Sequence, residues 1–243
     1  MNNNIKYIIT GASIVISSFV LSKGYNYKYK INETISVTGL SEVDFMSDLI
    51  VWGGSFSRTA LDLKSAYAML KTDEQEIRNY LNKKGIPDSS LVFSSVAMNK
   101  NFNRKFDDHG NEISAEFSGY TLTGNVRVES GQIEQVEKMS REITELLEMG
   151  IELNSNAPEY YYTKLNALKI DLLAKASADA NKRAETIASN SGSSLGSIKK
   201  AQMGVFQITG KNSNEDYSFG GSFNTNSREK TASITLKVDY SID

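Results

Sequence analysis

Apolar and polar positions follow two rhythms along this chain, one of period two and one close to 3.6. Thr34-Ile-Ser-Val-Thr-Gly39 alternates a polar and an apolar face, and Leu49 to Ser57 follows after a short polar connection. Both read as strands, the second with Gly53-Gly54 marking a bulge or a close backbone approach. Thr59 to Lys84 holds no Gly or Pro, and Leu63, Ala66, Leu70, Ile77 and Leu81 fall on one helical stripe. Gly85 and Pro87 stop it. Leu91–Asn103 and Glu112–Glu129 read extended, joined by a polar hairpin loop from Arg104 to Asn111. A second helix is predicted over Ile133–Met149, ended by Gly150. Short strands follow at Ile151–Ser155 and Tyr160–Thr163. The longest helix should run from about Lys164 to Asn190, and two last strands, Ile198–Ile208 and Thr231–Tyr240, bracket a Gly-, Ser- and Asn-rich stretch from Thr209 to Lys230. That stretch reads as a mobile loop or an interaction surface.

The order β-β-α-β-β-α-β-β-α-β-β predicts an α+β fold, with helices laid on antiparallel sheets. It looks like a strand-pair and helix unit used repeatedly. Two joined lobes are expected, 31–149 and 150–243, split near Met149–Gly150.

The first residues follow neither rhythm. Tyr7 to Leu21 is an uninterrupted uncharged run preceded by Lys6 and followed by Lys23. Its length falls between a signal-peptide core of about 7–15 residues and a spanning helix of roughly 20. Residues 1–24 therefore read as a signal peptide or a signal anchor, with Val20-Leu21-Ser22 as a relaxed cleavage site. Tyr25, Tyr27 and Tyr29 lie just outside the run, where interfacial aromatics are expected.

Composition narrows the chemistry. Of 243 residues, 27 are Lys or Arg and 29 are Asp or Glu, giving a formal charge of −2. That balance disfavours a nucleic-acid partner. No Cys means no disulfide and no thiolate chemistry, and a single His excludes any mechanism needing two imidazoles.

Along the long helix, Leu172, Ala176, Ala180, Ala184 and Ala188 recur every four residues, a small-residue stripe that permits close approach of a helix or sheet. With Ser191-Gly192-x2-Leu195-Gly196 and a strand after it, this stripe resembles the signature of the SIMPL-domain family of bacterial cell-envelope proteins. Ile35-Ser-Val-Thr-Gly39, Asp48-Leu-Ile-Val51 and Gly119-Tyr120 leading into Val126-Arg-Val128 fit as well, so the likeness covers roughly residues 31–243. Met46-Ser47 departs from it, standing where the family usually has a Pro before the Asp. The resemblance implies export by an N-terminal signal, a two-part α+β fold and a tendency toward ring- or channel-like homo-oligomers. It implies no catalytic residues; links to envelope stress belong to some members.

The residues themselves offer thin chemistry. Asp107-Asp108-His109-Gly110-x-Glu112 is the one cluster mixing an imidazole with carboxylates, but its adjacent acids and short reach do not fit a calcium loop. It reads as a solvated hairpin tip, which gives His109 neither pocket nor orienting partner. Gly210-Lys211 lacks a phosphate cradle, and neither a nucleophile elbow nor a zincin helix occurs. Tyr160-Tyr161-Tyr162 cannot form one platform, because alternation turns neighbours to opposite faces. Asn32-Glu33-Thr34 fits the glycosylation sequon without meaning in a bacterial-type chain. No catalytic, cofactor or metal residue is assigned. The expectation is a non-catalytic, extracytoplasmic homo-oligomer of the envelope, in the periplasm or on the outer face of the cytoplasmic membrane, attached through its N-terminal segment if uncleaved, and open to an envelope protein partner. The alternative is a ligand- or protein-binding module, with an enzyme ranked last.

Overall fold

Each rhythm settles into its own kind of element, and the elements sort into two sheets with separate apolar cores. The computed structural model describes residues 3–30 and 33–242. Asn32 of the sequon lies outside the described residues, as do the side chains of Lys6, Tyr27, Lys28, Tyr29 and Lys30.

The first sheet is entirely antiparallel. Its order is β1 (Thr34–Met46), β10 (Glu229–Ile242), then β8 (Leu195–Met203), with β9 (Gln207–Gly210) also on β10. Helix α4 (Leu165–Asn190) covers one face. The predicted stripe is what it buries: Leu172, Ala176, Ala180 and Ala184 pack with Val37, Ile234 and Val238. The small side chains let α4 approach so closely that a Cβ on Gly39 would lie 2.1 Å from the Ala176 carbonyl oxygen. Only glycine fits there.

The second sheet runs β3 (Leu91–Phe93), β5 (Glu112–Ser130), β2 (Leu49–Ala60) and β6 (Leu153–Ser155), with β4 (Ala97–Phe106) on β5 and β7 (Glu159–Tyr161) on β2. Helices α2 (Leu63–Lys83) and α3 (Ile133–Glu142) cover its inner face around Trp52, Leu70, Leu81 and Val136, all fully buried. Asp62 caps α2 by accepting from the Ser65 N–H at 2.8 Å. Gly85, at φ +87°, ends it, and Gln135 of α3 donates to the Lys84 carbonyl left open there.

Several boundaries differ from expectation for local reasons. The second half of the predicted 133–149 helix winds as a 3-10 helix (Ile143–Met149), which turns both Ile143 and Leu146 inward. Leu91–Asn103 is two strands because Phe93 opposes Val126 while Ala97 opposes Thr123, leaving one extra residue between them. Ile198–Ile208 divides likewise: Met203 opposes Leu236 and Gln207 opposes Ser233, with Gly204 donating to the Thr235 carbonyl between them.

A cut near Met149–Gly150 does not match sheet membership. β1 pairs along its whole length with β10, Thr34 opposite Ser241 and Met46 opposite Glu229, while β6 and β7 join the sheet of β2. One lobe is the continuous stretch from β2 to β7; the other is assembled from β1 and everything after α4 begins. The chain therefore crosses between lobes twice, at Ser47–Asp48 and at Tyr162–Lys164. Asp48 ties the crossings together, accepting from the Thr163 N–H at 2.7 Å and the Thr163 hydroxyl at 2.8 Å. Ser47 donates its N–H to the Arg228 carbonyl at 3.0 Å, a bond a proline at that position could not make.

Helix α1 (Asn3–Lys30) precedes all this, and its described side chains from Tyr7 to Tyr25 are exposed. Among the described residues no helix is long and apolar enough to cross a membrane, so the transmembrane alternative gains no support.

Candidate functional site

The most conspicuous surface is built by β4 and β5. β2 pairs with β5 only from Tyr120 onward, so from Asn101–Gly119 to the turn the two strands continue alone as a ribbon. It leaves the sheet at a bulge where Phe102 opposes Phe117, and Gly119 sits there at φ +128° with space for no Cβ, the Ala60 carbonyl oxygen being 2.6 Å from that position. The Gly119-Tyr120 pair read from the sequence is this departure point.

Residues directly opposite in an antiparallel ladder share a face, and faces alternate along each strand. Met98, Phe102, Phe106, Ile113 and Phe117 thus fall on one side of the ribbon, with Lys100 and Arg104 between them, and Asn99, Asn101, Asn103 and Glu116 lie on the other. Phe102 and Phe117 meet edge to face at 5.9 Å, and Phe117 meets Tyr120 at 5.1 Å. All five apolar residues are nonetheless between 44% and 65% exposed. The helices that cover this face over the rest of the sheet do not reach it.

At the tip, Asp107 is occupied by the turn itself. Its carboxylate accepts from the His109 and Asn111 N–H groups and from Asn111 Nδ2 at 2.8–3.0 Å, which holds its pKa below the ordinary carboxylate value. Glu112 reaches back to Arg104 at 2.8 Å. Asp107, Asp108, His109 and Glu112 do not converge, and among the described residues no group of three or more such side chains could hold a metal.

The Thr209–Lys230 segment is pinned, not free. The buried Gln207 side chain acts as a strand substitute, donating to the Ser218 carbonyl and accepting from the Ser218 and Ser222 N–H groups. Glu215 accepts from the Gly210 N–H at 3.0 Å and from Asn224, and the Lys230 ammonium donates to the Asn224 carbonyl and side-chain oxygens. Lys230 is 2% exposed, and burial pushes its pKa down to about 8 against the opposing pull of Glu215. Sequence reasoning left this lysine unremarked, although it is in phase with inward-facing Ala232, Ile234 and Leu236. Lys211 is taken up by Asp44 and Glu229, so Gly210-Lys211 offers no open anion site. Outward, the segment shows Tyr217 and a fully exposed Phe219 beside a cleft of about 290 Å³ that includes Leu40 and Val205.

The three consecutive tyrosines diverge. Tyr160 bonds Glu137 at 2.9 Å, with its pKa raised to about 12 chiefly by burial; Tyr161 bonds Glu159; Tyr162 packs on Phe45 with ring centroids 4.9 Å apart.

Two antiparallel sheets, each under its own helices and joined by a double crossing, make this an α+β protein of two interlocked lobes. The family model described as SIMPL, protein of unknown function (DUF541), matches residues 35–240. The chain belongs to the SIMPL family. No curated protein matches it.

Proposed function

We propose that the protein is a non-catalytic structural component of the bacterial cell envelope, exported by its N-terminal segment and working as a homo-oligomeric, ring- or channel-like assembly. The observation that carries this reading is the apolar face of the β4–β5 ribbon, a surface that a solitary soluble protein seldom leaves open. The uncharged run Tyr7–Leu21 supports export, since about 7–15 apolar residues suit a signal-peptide core. Sedimentation and light scattering of the full chain over a tenfold concentration range test the assembly. A discrete multimer is expected; a clean monomer at micromolar concentration overturns it.

A second reading, an extracytoplasmic binding module, is favoured by one feature: Tyr217 and Phe219 stand exposed on a segment otherwise pinned from beneath. Replacing both with Ala should abolish capture of an envelope partner without changing stability. Undiminished capture removes that site.

A further inference from the structure

We propose that the apolar face of the β4–β5 ribbon is covered by the same face of a second copy of this chain, laid antiparallel across a two-fold axis. This rests on the homo-oligomeric reading above and names one contact of that assembly, the one that pairs subunits; closing a ring takes a further, heterologous contact.

Three observations converge. First, a two-stranded ribbon on its own is at best marginally stable in water, because one face has nothing to pack against. Here the free part of the ribbon runs from Asn101 to Phe106 along β4, with a bulge at each end, and one of its faces carries only polar side chains. The other face, with Met98, Phe102, Phe106, Ile113 and Phe117, continues the core side of the sheet beyond the reach of α2 and α3: Leu122, opposite Met98, is buried in the core, while Met98 is 50% exposed. The strand pattern builds half of a packing layer and supplies no second half within the chain.

Second, the area suits a specific contact. Five side chains, each about half exposed and most of them aromatic, offer on the order of 500 Å² of apolar surface per copy, so two copies bury about 1,000 Å², where specific interfaces begin. Tyr120 lies at the base to extend it, its ring meeting that of Phe117.

Third, charge is uneven along the ribbon. Lys100 lies toward the base on the same side as the phenylalanines, Arg104 further out on that side pairs with Glu112, and Asp107 and Asp108 leave the turn beyond them acidic. Two copies in antiparallel orientation set each acidic tip against the other's cationic base; a parallel arrangement would set like against like. Isologous contacts need this self-complementarity. The acidic tip also argues against an anionic membrane as occupant, since insertion would carry Asp107 and Asp108 in first.

The absence of cysteine allows a direct test in the full chain, held in density-matched detergent because α1 exposes apolar side chains. Ala115 lies on the apolar face opposite Arg104, and Asn103 on the polar face opposite Glu116; both are exposed. With a short bis-maleimide, Ala115→Cys should give a covalent dimer, while Asn103→Cys should stay monomeric on a denaturing gel. Equal cross-linking of both, or of neither, overturns the proposal. In parallel, Phe102→Asp with Phe117→Asp should weaken self-association by about thirtyfold or more, with far-UV circular dichroism unchanged. If that variant loses its fold, the cross-linking comparison, made in chains whose apolar face keeps its aromatic side chains, still decides. A wild-type multimer whose mass the double variant keeps refutes the ribbon as the contact and leaves the assembly standing; a monomeric wild type refutes both. Cross-linking of Ala115→Cys only to an added different protein would overturn the second copy as occupant.

Discussion

At the scale of single residues, the two most informative side chains are polar ones set among apolar neighbours. Lys230 loses its proton near pH 8 in the folded protein, whereas an unfolded lysine keeps it to about 10.5. Between those values the unfolded chain binds more protons than the folded one, so unfolding takes up a proton and stability rises with pH. Urea unfolding from pH 7 to 10.5 should show wild type gaining on the order of 2 kcal/mol relative to Lys230→Met. Parallel curves would mean that the ammonium is not strained by burial. Asp48 acts through two hydrogen bonds to Thr163, one to backbone and one to side chain. Asp48→Ala should cost about 1–2 kcal/mol, whereas Asp48→Asn should recover part of it. Asp48 is half visible in the sequence, standing at the opening of a strand. Lys230 is not: the strand read from Thr231 stops one residue short of it, and its phase with Ala232 and Ile234 shows only once β10 starts at Glu229. Their partners, Asn224 and Thr163, come from segments 6 and 115 residues away, and no local pattern encodes such pairings.

At the scale of elements, legibility follows burial. α4 is readable almost to the residue because its stripe must face a core, and most strands with one buried face fall within a few positions of their expected bounds; β1 is the exception, running seven residues past Gly39 to Met46. What escaped was every one-residue bulge: the breaks at Ser94–Val96 and Gly204–Phe206, and the kink at Gly119. A bulge keeps the hydrophobic alternation on both flanks and shows itself only against the partner strand. The α4–β1 approach yields a sharp prediction. Gly39→Ala should destabilise by about 3 kcal/mol or more, since its Cβ would meet backbone; Gly53→Ala, whose Cβ would find only ordinary contacts from 3.5 Å outward, should stay within about 1 kcal/mol. Chemical denaturation of both variants checks this. The outer edge of β1 is protected in the same region: Asp179 of α4 accepts from the Leu40 N–H at 2.9 Å, which with Arg183 holds its pKa low. Asp179→Ala should speed hydrogen exchange at Leu40 while leaving the amides bonded to β10 protected.

At the scale of the whole molecule, the α+β class and the family were within reach of the sequence, and the lobe boundary was not. Order along the chain is a poor guide when a sheet recruits its first strand from one end and its central strand from the other. β10, C-terminal to every strand it pairs with, lies between β1 and β8 and also carries β9. A ribosome or an export channel that releases this chain from the N-terminus delivers the keystone after the strands it joins. Until it arrives, β1, β8 and β9 have no strand to pair with, α4 has only β1 beneath it, and only the β2–β7 lobe can close. A chain cut before Glu229 thus forfeits an entire lobe and not a frayed tail, and the time from the emergence of β1 to that of β10 is a built-in interval in which one lobe is finished and the other waits open.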